Sequence, residues 1–191
     1  PNIELVLNHT ATYEELSQAH YDDIVVATGV TPRQLQFEGI DHPKVLSYLQ
    51  VLKDRMPVGK RVAIIGAGGI GFDTAEYLSH EGESASLNPE KFYAEWGIDT
   101  SYANVGGLKA PQLEKSEREI YLIQRKTASV GASLGKTTGW IHRTGLKHRD
   151  VKMIAGASYD KVDDQGLHIT VNGQTTILEV DHVVICAGQE S

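Results

Sequence analysis

Residues 66–71 read Gly66-Ala67-Gly68-Gly69-Ile70-Gly71, and their setting leaves few folds open. The run before them, Arg61-Val62-Ala63-Ile64-Ile65, is short, apolar and β-branched, as in a strand buried on both faces. The residues after them, Phe72 to Leu78, continue as a helix, and Gly82 is placed to cap it. Gly66 permits a tight turn out of the strand. Gly68 has no side chain, so backbone can approach a pyrophosphate. Gly71 lets helix and strand pack closely. The helix N-terminus offers free N–H groups and a partial positive charge to phosphates. The strand–loop–helix unit therefore predicts an α/β, Rossmann-like NAD(P)-binding domain with a parallel sheet, helices and a β-meander.

The next strand, Glu119 to Ile123, ends in Gln124-Arg125-Lys126. An NAD site usually carries Asp or Glu at this place, where it accepts from ribose hydroxyls. A carboxylate would repel a 2′-phosphate. Arg can pair with one bidentately, and Lys adds a point charge. The strand end predicts NADPH as the cofactor. The interval from the glycine loop is long because residues 82–118 form an irregular insertion, in which Asn88-Pro89 can start a short helix bearing Phe92, Tyr93 and Trp96.

Other elements follow from local pattern. Residues 3–7 and Asp23 to Ala27 read as strands, the second ending in Ala27-Thr28-Gly29. Tyr13 to His20 reads as a short helix or loop. Pro43 begins a helical spacing through Val45, Leu49 and Leu52, which Pro57 and Gly59 end. Residues 133–148 form a glycine-weakened helix with Leu134, Ile141 and Leu146 inward. Val151 to Ile154 is a strand. Asn172-Gly173 marks a hairpin between Leu167–Val171 and Thr175–Val180. Asp181 to Gly188 repeats the shape of residues 22–29, and both Ala-Gly turns, Ala27-Thr28-Gly29 and Ala187-Gly188-Gln189, are expected near ligands.

Composition narrows the partners. The 191 residues carry a net charge of −7, which disfavours nucleic acid and anionic membranes, since both need a basic face. The lone Cys186, within Val183-Val184-Ile185-Cys186, reads as a packed residue of a cytoplasmic protein and cannot form an internal disulfide. No His or Cys spacing supports a metal site, no nucleophile elbow supports a catalytic residue, and no segment resembles a signal peptide. Asp73 reads as a first-turn acid. His142 and His148 are expected to face solvent, and Trp96 and Trp140 to pack. Lys136, Thr137 and Thr138 are either cofactor contacts or a polar helix start. Pro1 opens the chain without Met, and it ends soon after Gly188, so both ends are expected to be cuts in a longer protein.

Three segments carry a more specific resemblance: residues 39–48 (Gly-Ile-Asp-His-Pro-Lys-Val-Leu-Ser-Tyr), residues 62–73 around the loop, and residues 134–143 (Leu-Gly-Lys-Thr-Thr-Gly-Trp-Ile-His-Arg). With Glu95-Trp96-Gly97-Ile98-Asp99 in the insertion, they resemble the bacterial 2,4-dienoyl-CoA reductases (NADPH), iron–sulfur flavoproteins related to old yellow enzyme. The resemblance implies a partial FAD-domain segment over residues 1–55 and an NADPH domain over 56–191. It implies hydride passing from NADPH to FAD. FMN, a 4Fe-4S cluster and substrate reduction in unsaturated fatty-acid β-oxidation would belong to other segments of the parent chain, which would be this fragment's partners. One cysteine cannot hold such a cluster, so the isolated fragment is expected to be inactive. The alternative is a non-redox ADP-binding module, as in related amine dehydrogenases; Arg125 and Lys126 argue against it, because ADP has no 2′-phosphate. An unrelated disulfide reductase is disfavoured for want of a Cys pair.

Overall fold

The computed structural model describes residues 2–190. Two compact units divide between Thr31 and Pro32. In chain order the elements are α1 (Tyr13–Gln18), β1 (Thr31–Pro32), β2 (Val45–Ser47), α2 (Tyr48–Leu52), β3 (Arg61–Ile65), α3 (Gly69–Ser79), α4 (Pro89–Glu95), β4 (Glu119–Ile123), α5 (Gly139–His148), β5 (Lys152–Ile154), β6 (Ala157–Asp163), β7 (Gly166–Val171), β8 (Gln174–Leu178), β9 (His182–Ile185) and β10 (Gln189–Glu190).

The first unit holds α1 and irregular chain. Thr12 caps α1, accepting from the Glu15 N–H while the Glu15 carboxylate accepts from the Thr12 N–H. The strands expected at 3–7 and 23–27 do not form. Leu5, Val25 and Val26 are 76%, 86% and 78% exposed. The physical reason is that an apolar run becomes a buried strand only against neighbours that take its backbone groups and cover its faces. No described residue does so for these two runs.

The second unit is built on a five-stranded, fully parallel sheet of order β2-β9-β3-β4-β5. Its strands alternate between two cores. Val62 and Ile64 of β3 point with Ile120, Leu122 and Val184 toward α2, α3 and α5, where Val51, Phe72, Ala75 and Leu146 meet them. Ala63 and Ile65 point the other way, with Ile123 and Val183, onto the antiparallel sheet β6-β7-β8 through Val162, Leu167 and Ile169. Both faces are covered, which is why the central strands read as unbroken apolar runs. The hairpin turn at Asn172-Gly173 is as expected, with φ of 51° and 77° and Val171 opposite Gln174.

The segment after Pro43 differs from expectation. Val45–Ser47 is a strand paired in parallel with Val183–Ile185, and the helix starts only at Tyr48. Ser47 and Gln50 form a capping box there. Tertiary pairing with an available sheet edge overrides the helical spacing. Consequently β2 is an edge strand of the five-stranded sheet of the second unit. The expected helix over 133–148 likewise shortens to Gly139–His148: Leu146 is buried, but Ile141 is 38% exposed. His142 and His148 are partly exposed, the His142 side chain to 40%.

The insertion is tied down. Asn88 caps α4, with Pro89 in its first turn. Trp96 packs edge-on to Trp140 at 6.2 Å and lies 6.0 Å from His148. Arg149 donates to Glu95 at 2.9 Å, and its carbonyl accepts from the Ser116 N–H at 3.3 Å. Within the insertion, Asp99 accepts from the hydroxyl and N–H of Ser101 and from the N–H and side-chain amide of Asn104. These bonds, the Ser101 hydroxyl first, lower its carboxyl from 3.8 to about 2. A depressed carboxylate stabilises the fold fully above its unfolded pKa, and that contribution is lost as pH falls through the folded value. Urea midpoints measured between pH 5 and pH 2 should therefore fall more steeply for the native chain than for Asp99→Asn, with the difference concentrated between 3.8 and about 2. Parallel curves would remove Asp99 from the account.

Candidate functional site

The carboxyl ends of β3, β4 and β9 open onto one cleft of ≈ 540 Å³. Open parallel sheets bind ligands at these ends. Of the residues expected at the site, Gly66, Ala67, Gly68, Gly69 and Ile70 line it from the β3–α3 turn, Gln124, Arg125 and Lys126 from β4, and Ala187 and Gly188 from β9. Gly71 stands behind the wall, buried. Ala27, Thr28 and Gly29 lie exposed in the first unit.

The loop glycines have separable reasons. Gly66 has φ of 107°, a left-handed conformation open to glycine, and a Cβ there would stand 2.6 Å from the Cys186 carbonyl oxygen. A Cβ on Gly71 would overlap the Gly66 carbonyl oxygen at 1.8 Å. Gly68, by contrast, has nothing within 4 Å of its missing Cβ, and neither has Gly69. The loop is bare toward the cleft and tight toward the protein.

Gly68 is the N-cap of α3 and supplies no side-chain cap. The first intrahelical bond runs from the Phe72 N–H to the Gly68 carbonyl at 3.0 Å. The N–H groups of Gly69, Ile70 and Gly71 therefore have no acceptor within the helix. They carry the positive end of the α3 dipole. Across the cleft Arg125 and Lys126 are exposed. The donor set thus fits a pyrophosphate on the loop and a further phosphate at the β4 end.

Two lining residues escaped the sequence reading, Ser133 and Tyr159. Tyr159 sits on β6, and its hydroxyl donates to the Ile123 carbonyl at 3.5 Å. Burial pushes this phenol up to about 12, while Arg125 pulls the other way through its charge and backbone N–H, so the hydroxyl stays protonated. Nothing in the local pattern of β6 marks its tyrosine; only the sheet stacking places it. Ser133 follows Val130 and Gly131 in a turn whose polar composition looks like any loop.

Cys186 forms part of the floor and is 4% exposed. Its thiol donates to Thr74 Oγ1 at 3.5 Å, and burial raises it to about 12. It is a packed thiol with no nucleophilic character at neutral pH. Among the described residues no group of His, Cys, Asp and Glu is placed to hold a metal ion, and no helix is long and apolar enough to cross a membrane.

A parallel sheet with a glycine-loop cleft at its carboxyl edge defines a dinucleotide-binding domain. The chain belongs to the pyridine nucleotide-disulphide oxidoreductase family, whose model matches residues 3–191, and thereby to the flavin-dependent, FAD- and NAD(P)-binding oxidoreductases. It is 26% identical over 186 residues to a cinnamate reductase of Clostridium sporogenes, covering 97% of this chain and 23% of that protein. It is 26% identical over 206 aligned residues to a metal reductase of Desulforamulus reducens, covering 99% and 28%. A solved 2-naphthoyl-CoA reductase superposes with a TM-score of 0.64 at 22% identity, covering 98% of this chain and 23% of that one. The chain thus spans about a quarter of the length of the relatives it matches. The family takes its name from disulphide chemistry, which the single buried Cys186 does not supply.

Proposed function

We propose that the chain is the NADPH-docking part of a flavin-dependent oxidoreductase. The observation that carries this is the meeting of the bare glycine loop and the Arg125-Lys126 pair in one cleft. In this reading the α3 N–H groups hold the pyrophosphate, and Arg125 and Lys126 hold the 2′-phosphate. The Ala187-Gly188 turn borders the path toward the flavin. The nicotinamide supplies hydride to FAD. The chain's own work is to position it, since hydride transfer demands alignment more than an acid or base.

The parent enzyme we propose is of the 2,4-dienoyl-CoA reductase type, with FMN, an iron–sulfur cluster and the remaining FAD segments elsewhere in its chain, acting in the cytoplasm on unsaturated fatty acyl-CoA. The segments around Gly39, Leu134 and Glu95 support that reading. So do relatives named for cinnamate and 2-naphthoyl-CoA, which are conjugated, unsaturated acids or thioesters. The fragment alone binds without catalysing.

Titration with NADPH, NADH and ADP tests the cofactor assignment. Native protein should favour NADPH over NADH, and Arg125→Ala should cost NADPH about 10–100-fold, the scale of a lost charge-assisted pair. NADH and ADP should be little affected. Equal affinity for all three ligands would instead favour the ADP-binding module.

A further inference from the structure

Gln124 occupies the β4 end, where dinucleotide-binding strands bearing an acid meet the ribose. Its side chain is engaged elsewhere. Nε2 donates to the Lys126 carbonyl at 3.0 Å and to the Ala128 carbonyl at 2.6 Å. Both amide protons are thus committed inside the loop that carries Arg125 and Lys126.

The same loop is fastened from outside by backbone. The Gln124 N–H bonds the Ile154 carbonyl at 2.9 Å, and its own carbonyl accepts from Ala157 at 3.1 Å. The Lys126 carbonyl accepts a second bond, from the Gly156 N–H at 2.9 Å. Gln124 is therefore fixed at its backbone and, from that fixed point, draws the next four residues into a curl. A carboxylate at this position could donate to neither carbonyl and would face two oxygens. The choice of an amide over an acid thus removes a charge hostile to phosphate and closes the loop at once.

We infer that Gln124 is a positioning residue for selectivity: its amide clips the 124–128 loop so that Arg125 and Lys126 stand ready at the cleft for a 2′-phosphorylated dinucleotide. This rests on the cleft being an NADPH site. Holding the backbone that carries the two long cations in place beforehand lowers the ordering cost that binding a phosphate would otherwise carry.

The test uses the full chain with Gln124→Met, similar in length but without donors, and Gln124→Glu, which adds a charge. Dissociation constants are measured for NADPH and 2′,5′-ADP against NADH and ADP, with thermal melts to confirm folding. Gln124→Met should weaken the two 2′-phosphorylated ligands about fivefold, the scale of one or two exposed hydrogen bonds. NADH and ADP should stay within about twofold. Gln124→Glu should weaken the phosphorylated pair further, by about tenfold or more. A merely structural role would weaken all four ligands together, and that result, or an unchanged NADPH/NADH ratio in both variants, would overturn the clip. Failure of the NADPH reading itself appears elsewhere, in a native protein without preference or one whose preference survives Arg125→Ala.

Discussion

Gly71→Ala should lower the melting temperature by about 6–12 °C, while Gly68→Ala leaves it unchanged and weakens dinucleotide binding. In an ordinary helix, Gly to Ala gains about 1 kcal/mol. At Gly71 the new methyl would stand 1.8 Å from the Gly66 carbonyl oxygen, with Leu122 Cδ1 at 3.4 Å beyond it. Neither neighbour can yield cheaply, because one is backbone in a left-handed turn and the other is a fully buried strand residue. α3 must shift away from β3, and overpacking of this kind costs about 3 kcal/mol. For a unit of this size each kcal/mol moves the midpoint by about 2–4 °C. The Gly68 methyl instead enters open space at a φ of −85°, which alanine accepts. It should fill the approach to the first-turn N–H groups and weaken NADPH by about tenfold or more, a change read by fluorescence titration. A stable Gly71→Ala protein would mean that the helix does not pack against the loop as described.

The second large effect involves residues that do not line the cleft. Glu95→Ala should destabilise the second unit by about 3 kcal/mol. Glu95 and Arg149 have side chains only 14% and 8% exposed, and they meet at 2.9 Å. Removing the carboxylate leaves a guanidinium buried without its counter-charge, which costs far more than the pair contributes. Arg149 is also the C-cap of α5, where a cation suits the negative end of the helix dipole. The paired replacement Glu95→Leu with Arg149→Met should recover a good part of the loss, since no buried charge then remains. Urea denaturation of the single and double variants decides the matter: additive losses would show that the two side chains act independently. Hydrogen exchange over 82–118 should rise in Glu95→Ala, because this contact joins α4 to α5.

What could be read from the chain sorts by how local its cause is. β3, the loop and α3 were legible because each residue's role is set by its immediate neighbours, as was the turn at Asn172-Gly173. Arg125 and Lys126 were found from their position after a strand, and they do reach the same cleft as the glycines. β2 was not legible. Three residues carry too little periodicity, and Val45–Ser47 becomes a strand only because β9 offers an edge 138 residues later. Tyr159 and Ser133 enter the cleft through stacking and turn geometry. The clip made by Gln124 was missed for a different reason: an amide at a strand end reads as a ligand contact until its partners are seen. The runs at 3–7 and 23–27 show the converse, a sound local pattern that forms no strand among the described residues.

Those two runs also bear on how the chain behaves in solution. Ile3, Leu5, Leu7, Ile24, Val25 and Val26 all stand in water with at least half of their surface uncovered. Apolar stretches of this kind attract one another between molecules. The opposing influence is the net charge of −7, spread along the sequence without long acidic runs. Repulsion between whole molecules reaches only about 8–10 Å in ordinary buffer and shortens as salt is added, whereas the attraction between uncovered valines and leucines does not weaken. The colloidal stability of this chain is therefore an electrostatic property, set by ionic strength and pH.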